Sequence, residues 1–463
     1  MDRQQRATTQ KSSAGDSWFG LRVIREKVAG IDLGARQHWV CRPGEKGQAP
    51  EVQTFGTTTP ELEKLVEWLE AEGIESVAME STGVYWIPLY ELLESRGIEA
   101  VLVNARQLSH VPGRKTDMLD CQWLQLLHTC GLLKGSFRPD ESICQFRALL
   151  RERANMAMES ARYVQRMQKA LDQMNIQVHR AVADLTGKTG MGMVRAIVAG
   201  ERDPDRLATF RDKRCRKSQE QMAGYLTGHW RPEHLFNLEM ALRLYDEIQK
   251  VLCAYDERVL SLLEAMQVPE LAGQEVRLHP NPVKEKALRR RGEQTLRTAL
   301  WRVAEIDLTR IDGISAATAQ LVLSEVGMDL EAFPTEKHFV SWLRLSPKRA
   351  FSGGKPLSKR YRGTGSTRVA AILRMAALSL SKSASALGAH FRRIARRKGG
   401  STAIFATARK LAVYIYRMLR FGQDYIDEGA QAYEDRFQTT RLKSIASIAK
   451  QMGYQLIPLE AQN

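Results

Sequence analysis

The sequence predicts an α/β domain followed by mostly helical domains, and three observations lead to this fold class. The chain has 463 residues, more than one hydrophobic core usually fills, so two or three domains are expected. Short apolar runs alternate with amphipathic helical patterns up to about residue 140, which is typical of an α/β layer structure with some parallel pairing. Beyond that point, long stretches with helical periodicity dominate.

The first domain is predicted over residues 27–140, after a flexible tail over residues 1–26. Strands are predicted from apolar runs at Lys27–Leu33, Gln37–Cys41, Ser76–Met79 and Ala100–Val103. Gln37–Cys41 is the expected hairpin partner of the first strand, and Glu80 follows the third. Helices are predicted from Thr59, as a cap before Pro60, over Val84–Arg96 and over Asp117–Leu127.

The remainder of the chain is predicted to be helical. Residues 141–266 contain two long periodic stretches, Phe146–Met174 and Leu235–Met266, which indicate a helical hairpin or coiled-coil arm, with a plain helical bundle as the alternative. Residues 267–300 have little apolar pattern and are interpreted as a linker or insertion, residues 301–423 as a compact basic domain, and residues 424–463 as a C-terminal tail. Ile311–Ser315 predicts a glycine turn between helices that can offer backbone N–H groups to a phosphate.

The charge of the chain indicates a polyanionic partner. The formal net charge is +16, and residues 337–423 contain 20 Lys and Arg but no Asp or Glu. This one segment more than accounts for the net charge, and it mixes cations with apolar helical residues. A solvated basic face is the ordinary alternative, but so long and one-sided a run favours contact with nucleic acid.

Other protein classes are disfavoured by the cysteines and by the hydropathy. The six cysteines form no CxxC pair and no zinc-finger spacing, so reduced thiols of a cytosolic protein are expected. The N-terminal residues are polar, without an apolar signal core, and no run of about 18 apolar residues occurs. We therefore expect a cytoplasmic protein with no membrane partner.

Four acidic residues form the first candidate site. Asp32 and Glu80 each end a predicted strand, whereas Asp117 and Asp120 are three residues apart and share a helix face. Strand ends and a helix start can converge at one edge of an α/β sheet. Four carboxylates repel one another unless cations lie between them, and such oxygen ligands suit Mg²⁺ or Mn²⁺. Taken singly, each acid is more often a turn, cap or surface residue, but together they predict a two-metal site for phosphodiester cleavage.

A basic, glycine-rich loop holds the second candidate. Ser352 is followed by Gly353 and Gly354, which allow a phosphodiester to approach the backbone closely. Cations near this serine could stabilise charge on an attacked phosphate, and they are Arg349, Lys355, Lys359, Arg360 and Arg362. The residues alone favour a plain turn over a nucleophile at this position.

The order of strand Asp, strand Glu and helical Asp pair resembles the RuvC-like branch of the ribonuclease-H fold. More narrowly, the stretches MESTGVYWIPLYELL and KTDMLDCQWL resemble the DEDD transposases of bacterial insertion sequences, in the insertion-sequence one-hundred-and-ten family. The resemblance covers about residues 27–140 and about residues 308–380. Cys121 departs from the small residue expected there, which does not bear on metal binding.

The second half resembles the C-terminal transposase domain of the same family. The stretch LRLSPKRAFSGGKPLSKRYRGTGSTRVAA has its LxP motif, its serine-glycine pair in a basic loop, its glycine turn and its apolar helix. Arg344 and Ser366 depart from the residues usual at their positions, which concerns details of DNA contact rather than the serine. The resemblance implies that Ser352 is a covalent nucleophile, in preference to Ser358 and Ser366.

The resemblance implies a two-site DNA recombinase, with Mg²⁺ or Mn²⁺ held by the four acids. It also implies guidance by a structured non-coding RNA, and we expect a bacterial, nucleoid-associated protein. Because a recombinase must hold several DNA ends, a dimer or tetramer is expected, with the helical arm over residues 141–266 as the contact. Nucleic-acid contacts are expected from seven cations: Lys115, Arg349, Lys355, Lys359, Arg360, Arg362 and Arg368. Two alternatives stay open, a structure-selective nuclease that uses the carboxylates alone, as a junction resolvase does, and a non-catalytic nucleic-acid-binding protein.

Overall fold

The computed structural model describes most of the chain in two compact units, Met1–Arg138 and Pro139–Asn463. The described residues are 17–18, 21–44, 49–81, 83–104, 117–346, 351–352, 355–356, 367–422, 424–425, 427–455 and 457. The α/β layout with a largely helical remainder is confirmed, since the first unit holds a mixed sheet and the second is mostly helical.

The first unit contains a five-stranded mixed sheet. Its strands are β1 (Val28–Leu33), β2 (Gln37–Arg42), β3 (Glu51–Gly56), β4 (Ser76–Glu80) and β5 (Glu99–Val103). They lie in the order β3-β2-β1-β4-β5, with β2 antiparallel to β1 and β3, and β4 parallel to β1 and β5. A separate short ladder pairs Ser17–Trp18 with Leu21–Arg22. The four predicted strands are confirmed, and β3 is an additional edge strand.

Three helices cover the two faces of this sheet. They are α1 (Thr59–Ala71), α2 (Trp86–Ser95) and α3 (Asp117–Thr129). Ile31, Val77 and Met79 pack with residues of α1 and α2, whereas Ala78 and Val103 pack with Leu124 of α3 on the other face. The three predicted helices are confirmed, although Thr58 rather than Thr59 is the cap of α1 and its side chain makes no capping hydrogen bond.

The second unit begins with a long helical hairpin. Helices α4 (Glu141–Gln173) and α9 (Pro232–Ala265) are each about 50 Å long. They run antiparallel, because Arg153 pairs with Asp256 while Ser160, further along α4, bonds Gln249, which lies earlier in α9. Four short helices share a core with the distal end of the hairpin: α5 (Val178–Ala181), α6 (Lys188–Val198), α7 (Pro204–Ala208) and α8 (Gln219–Leu226).

The rest of the second unit is a set of shorter helices. They are α10 (Pro282–Arg290), α11 (Gln294–Ala304), α12 (Ala316–Val326), α13 (Glu336–Trp342), α14 (Arg368–Ser379), α15 (Ala386–Lys398), α16 (Gly400–Phe421) and α17 (Gly429–Gln451). Three 3₁₀ helices lie at Pro269–Leu271, Leu308–Arg310 and Leu380–Lys382, and two short strands at β6 (Phe351–Ser352) and β7 (Lys355–Pro356). In the part of the chain that the structure describes, no helix is long and apolar enough to cross a membrane.

Two segments contain more structure than the sequence indicated. Residues 267–300, interpreted as a linker or insertion, contain α10 and most of α11, and residues 424–463, interpreted as a tail, contain α17. The first of these segments is held by buried ion pairs together with a few buried apolar residues, such as Leu288 and Leu300. Arg297 has a side chain that is 1% exposed and bonds Glu285 at 3.0 Å and Asp307 at 2.7 Å.

Replacing Arg297 with Met is expected to lower the free energy of unfolding by about 3–5 kcal/mol, because Asp307 would lose its ion-pair partner in a buried position and Glu285 would keep only the exposed Arg289. Urea unfolding of the full chain measures this change. Arg289→Gln is the matched control, because Arg289 bonds the same Glu285 but its side chain is 62% exposed. That control should cost less than about 1 kcal/mol, and an equal loss in both variants would contradict the role given to the buried guanidinium.

Candidate active site

Asp32 and Glu80 lie at the same level on two neighbouring parallel strands. Ile31 of β1 is in register with Met79 of β4, and each acid is the next residue on its strand, at the carboxyl end. Gly30 and Ala78 are also in register, and they face α3. Because side chains alternate along a strand, Asp32 and Glu80 lie on this same α3 face, and both are half-buried.

Helix α3 runs against the direction of these two strands. Near its C-terminal end, His128 Nε2 lies 2.8 Å from Ser76 Oγ, at the amino end of β4. Burial and the nearby Arg25 lower the pKa of His128 to about 4, so that its ring is neutral in this contact. The N-terminal turn of α3 is therefore at the opposite edge of the sheet, where β1 and β4 end. The topology places Asp117 and Asp120 at the edge that holds Asp32 and Glu80.

The structure shows which strands and helices meet at this edge of the sheet, but the described side chains do not form a complete metal-binding site. Asp120 is half-buried, and the side chain of Asp117 lies outside the description, although its backbone begins α3. Among the described side chains, no three His, Cys, Asp or Glu lie close enough together to hold a metal ion. A shared ion between the four acids therefore stays a prediction.

Gly30 allows α3 to lie directly on β1. A Cβ atom at this position would be 2.3 Å from the backbone nitrogen of Gln125 and 2.4 Å from the carbonyl oxygen of Cys121. Both contacts are with helix backbone, which cannot rotate away as a side chain can. The absence of a side chain at Gly30 thus fixes how closely α3, with Asp117 and Asp120 at its start, approaches the strand that ends in Asp32.

Gly30→Ala is expected to displace α3 and to lower the free energy of unfolding by about 1–3 kcal/mol. The rate of DNA cleavage that requires the four acidic residues should fall about a hundredfold, since a displacement of reacting groups by about 1 Å lowers a rate by that factor. Unfolding in urea and cleavage of labelled DNA by the remaining folded protein measure the two effects. Gly135→Ala in the same unit is the control, because its Cβ would meet only Val101 at 3.5 Å. Unaltered cleavage by Gly30→Ala would show that the site does not depend on this approach.

Cys121, where the sequence departs from the family that it resembles, is a residue of α3. Cys41 and Cys121 are both fully buried. The hydrogen bond with Cys121 and burial raise the pKa of the Cys41 thiol, so that it stays protonated. These two thiols act as small apolar side chains, in agreement with the reduced cysteines expected from the sequence.

The serine loop is described only in part. Ser352 ends the two-residue strand β6, and its backbone pairs with Lys355 of β7 across Gly353 and Gly354. The side chains of Ser352 and Lys355 lie outside the description, as do the whole of Lys115, Arg349, Ser358, Lys359, Arg360, Arg362 and Ser366. The pairing of Ser352 with Lys355 is compatible with both a plain turn and an exposed nucleophile, and Gly353 and Gly354 lie outside the described residues.

Arg368, the remaining predicted nucleic-acid contact, takes part in an ion-pair network. It is the first residue of α14, and its Nε lies 3.9 Å from Glu325 Oε1. Glu325 also pairs with Arg151 at 2.6 Å and with Arg147 at 3.6 Å. Three cations share one carboxylate, so Arg368 helps to join α14 to α12 and α4 while its side chain remains 46% exposed.

The glycine turn at 311–315 differs from its expected phosphate-binding arrangement. Gly313 has a φ of +84°, as a tight turn requires. The first N–H of α12, on Ala316, donates to the carboxylate of Glu293 at 3.1 Å, and Ser315 caps the N–H of Thr318. A carboxylate already lies at this helix start, and its charge disfavours a phosphate there.

Both candidate sites fall within regions that resemble known protein families. Residues 29–176 match a DEDD model of the IS110 type, described as a transposase. Residues 305–392 match a second model, described as transposase IS116/IS110/IS902 family. The first region spans Asp32, Glu80 and α3, and the second spans Ser352. No curated protein matches the chain.

Proposed function

Because this chain belongs to the IS110 family of DEDD transposases and is therefore an enzyme that acts on DNA, we propose that it cuts and rejoins the DNA strands of an insertion sequence at two cooperating sites. The first is the group of Asp32, Glu80, Asp117 and Asp120, and the second is Ser352. The observation that supports the proposal is that β1 and β4 end on the side of the sheet where α3, which runs in the reverse direction, begins.

The acidic site would hold Mg²⁺ or Mn²⁺. Its donors are all carboxylates, the hard oxygen ligands that these ions prefer. Asp32 and Glu80 are half-buried rather than fully buried, so an ion could reach their carboxylates. A bound divalent ion would supply stabilisation of the negative charge that develops on the phosphodiester. The strand order β3-β2-β1-β4-β5, with Asp32 on the central strand, supports a RuvC-like domain over residues 27–140.

Ser352 would carry the covalent step. Its Oγ forms a bond to phosphorus while the bond from phosphorus to the leaving deoxyribose oxygen breaks. The hydroxyl proton of Ser352 balances the proton that the leaving oxygen gains. The product is a phosphoserine link, and attack by a deoxyribose hydroxyl from another strand rejoins DNA and restores the serine. The two glycines that follow Ser352 in the sequence support this role, because a glycine has no side chain that would keep a phosphodiester away from the backbone.

DNA is a partner of this transposase, and further partners belong to the proposal. The cations Lys115, Arg349, Lys355, Lys359, Arg360, Arg362 and Arg368 would contact nucleic-acid backbone. The proposed partners also include a structured guide RNA and further copies of this chain. The α4–α9 hairpin would be the arm that contacts another copy. A transposase that works on chromosomal DNA would act in the bacterial cytoplasm, at the nucleoid.

One assay separates this function from its alternatives. The full chain is incubated with Mg²⁺, element-end DNA, target DNA and RNA transcribed from the element ends, and the products are then denatured. A protein–DNA adduct that survives denaturation supports the serine recombinase. Free cut ends without an adduct would indicate a metal-dependent nuclease, and intact DNA would indicate a protein that only binds.

A further inference from the structure

A group of cations surrounds Tyr433, near the start of α17. The Tyr433 ring is 5.1 Å from Lys410 Nζ, 5.2 Å from Arg393 Cζ and 5.8 Å from Arg436 Cζ. Arg396 and Arg397 follow Arg393 at the spacings that share a helix face, and both are exposed. We call these five cations, Arg393, Arg396, Arg397, Lys410 and Arg436, the Tyr433 cluster.

The cluster has too few carboxylates to balance it. Arg436 pairs with Glu428 at 2.6 Å. Within the described part of the chain, no carboxylate lies within 4.0 Å of the other four cations. Burial, followed by the charges of Arg436 and Arg393, lowers the pKa of Lys410, as expected where cations crowd one another.

Other arginines of the same basic segment are neutralised within the chain. Arg417 pairs with Glu336 at 2.8 Å, and Arg420 pairs with Glu331 at 2.8 Å. The basic segment therefore contains two kinds of cation, those with a carboxylate in this chain and those without one. Among the described residues, the second kind includes Arg393, Arg396, Arg397 and Lys410, at the end of α15 and beside Tyr433.

Contacts within the chain offset only part of the repulsion among the cations of the Tyr433 cluster. Arg393 stacks on Phe437 at 3.8 Å and so helps to fix α17 against α15. Arg396 and Arg397 are in the last turn of α15, where the helix dipole favours cations by a few tenths to about 1 kcal/mol each. Neither contact removes the repulsion among like charges, and an anion outside the chain would do so.

The positive charge continues along α17. From Arg436 to Ile457 the sequence has no Asp or Glu, and it contains Arg441, Lys443 and Lys450, all of them exposed. The cluster and this helix lie beyond residue 392, where the second family match ends. The candidate surface is thus separate in sequence from the Ser352 loop, and it combines the end of the basic domain with α17, which lies in the segment that was expected to be a tail.

We propose that the Tyr433 cluster is a further nucleic-acid-binding surface, which contacts the phosphodiester backbone of DNA or RNA. This inference rests on the proposed function, since a transposase must hold DNA ends and, with a guide, RNA as well. Arginines and a lysine that contact phosphates release counterions, so their contribution depends on salt and not on base sequence. The exposed pair Arg396 and Arg397 would make the outermost contacts.

The test compares two variants of the full chain that each lose two positive charges. R396Q/R397Q removes cations without a carboxylate partner, and the control R417Q/R420Q removes cations that have one. Fluorescence anisotropy measures binding to a duplex of unrelated sequence and to a structured RNA, in separate titrations from about 50 to 200 mM KCl. R396Q/R397Q should bind about tenfold more weakly near 100 mM salt, with a salt slope less steep by about 1–2, and the control should match the wild type.

The outcomes separate the partners and the two proposals. A loss on the duplex alone assigns the cluster to DNA, a loss on the structured RNA alone assigns it to RNA, and a loss on both supports a shared backbone contact. R396K/R397K should restore the slope, because it restores the charge. An unchanged slope for R396Q/R397Q on both polymers, or an equal change in the control, would overturn the inference. The adduct assay on the same preparations tests the proposed function separately. It reports whether a covalent protein–DNA link forms, whereas the titrations report only how tightly the nucleic acid binds.

Discussion

Ser352→Ala is expected to bind DNA with nearly normal affinity and to form no covalent adduct and no recombined product. The substitution removes one hydroxyl, and the pairing of Ser352 with Lys355 uses backbone groups that alanine retains. The free energy of unfolding should therefore hardly change, while the atom that attacks phosphorus is lost. Ser352→Cys should retain at most a trace, because a thiolate is a stronger nucleophile but differs in size and metal preference.

Matched controls for this variant lie in the same basic stretch of the sequence. Ser358→Ala and Ser366→Ala remove a hydroxyl from the same basic stretch and should recombine DNA at near the wild-type rate. A gel shift measures binding, and a denaturing gel with labelled DNA measures the adduct and the products. Recombination by Ser352→Ala at near the wild-type rate would make Ser352 a turn residue, as its local sequence alone suggested.

Asp32→Asn, Glu80→Gln and Asp117→Asn are each expected to reduce strand transfer at least about a hundredfold while the protein stays folded. Each substitution removes a charged ligand for a divalent ion, and it also relieves repulsion among the four acids, so that stability should not fall. Strand transfer is measured at several Mg²⁺ and Mn²⁺ concentrations, and folding by urea denaturation. Asp120→Asn belongs to the same series and tests whether the second helical acid is a ligand or only orients one.

Glu75→Gln is the control for the acidic site. Glu75 precedes β4, at the opposite end of the strand from Glu80, and its side chain is 74% exposed beside Lys27. The loss of this charge should leave strand transfer unchanged. Normal strand transfer in any of the variants Asp32→Asn, Glu80→Gln or Asp117→Asn would remove that residue from the site.

The α/β unit was predictable from sequence because its signals are local. Val28–Leu33 and Ser76–Glu80 are apolar runs buried on both faces, and α1 has one apolar face and an early proline. The edge strand Glu51–Gly56 was missed, because Phe55 is its only fully buried residue and apolar residues do not alternate along it. Its pairing with β2, rather than its own sequence, makes it a strand.

The helices between residues 267 and 300 were missed for a different reason. Hydrophobic periodicity cannot detect a core made of Arg297, Glu285 and Asp307, whose burial is stabilised by ion pairs. A signal was nevertheless present, since Asn281 followed by Pro282 is a common helix start, and Asn281 caps α10. The Tyr433 cluster was also beyond sequence reasoning, because Arg393, Lys410 and Arg436 are far apart in the chain and only the packing of α15, α16 and α17 brings them together.

Of the two candidate sites, only the acidic one has local signals in the sequence. The convergence of Asp32, Glu80 and the helical acids was predicted from strand ends and helix spacing. The register of β1 with β4 and the direction of α3 show where these elements end and begin, and a shared site for the four carboxylates stays a prediction. The role of Ser352 had no such local basis, because a serine before two glycines is also an ordinary turn. That assignment came from resemblance to a family, and chemistry must test it.

The most direct test of the central claim is to map the covalent link itself. Wild-type protein is reacted with labelled element-end DNA, Mg²⁺ and guide RNA, the adduct is digested with protease and nuclease, and the modified peptide is identified by mass spectrometry. A nucleotide joined to Ser352 is the predicted result. A nucleotide joined to Ser358, Ser366 or Tyr361, or strand transfer with no protein-linked nucleotide at all, would contradict the proposed mechanism.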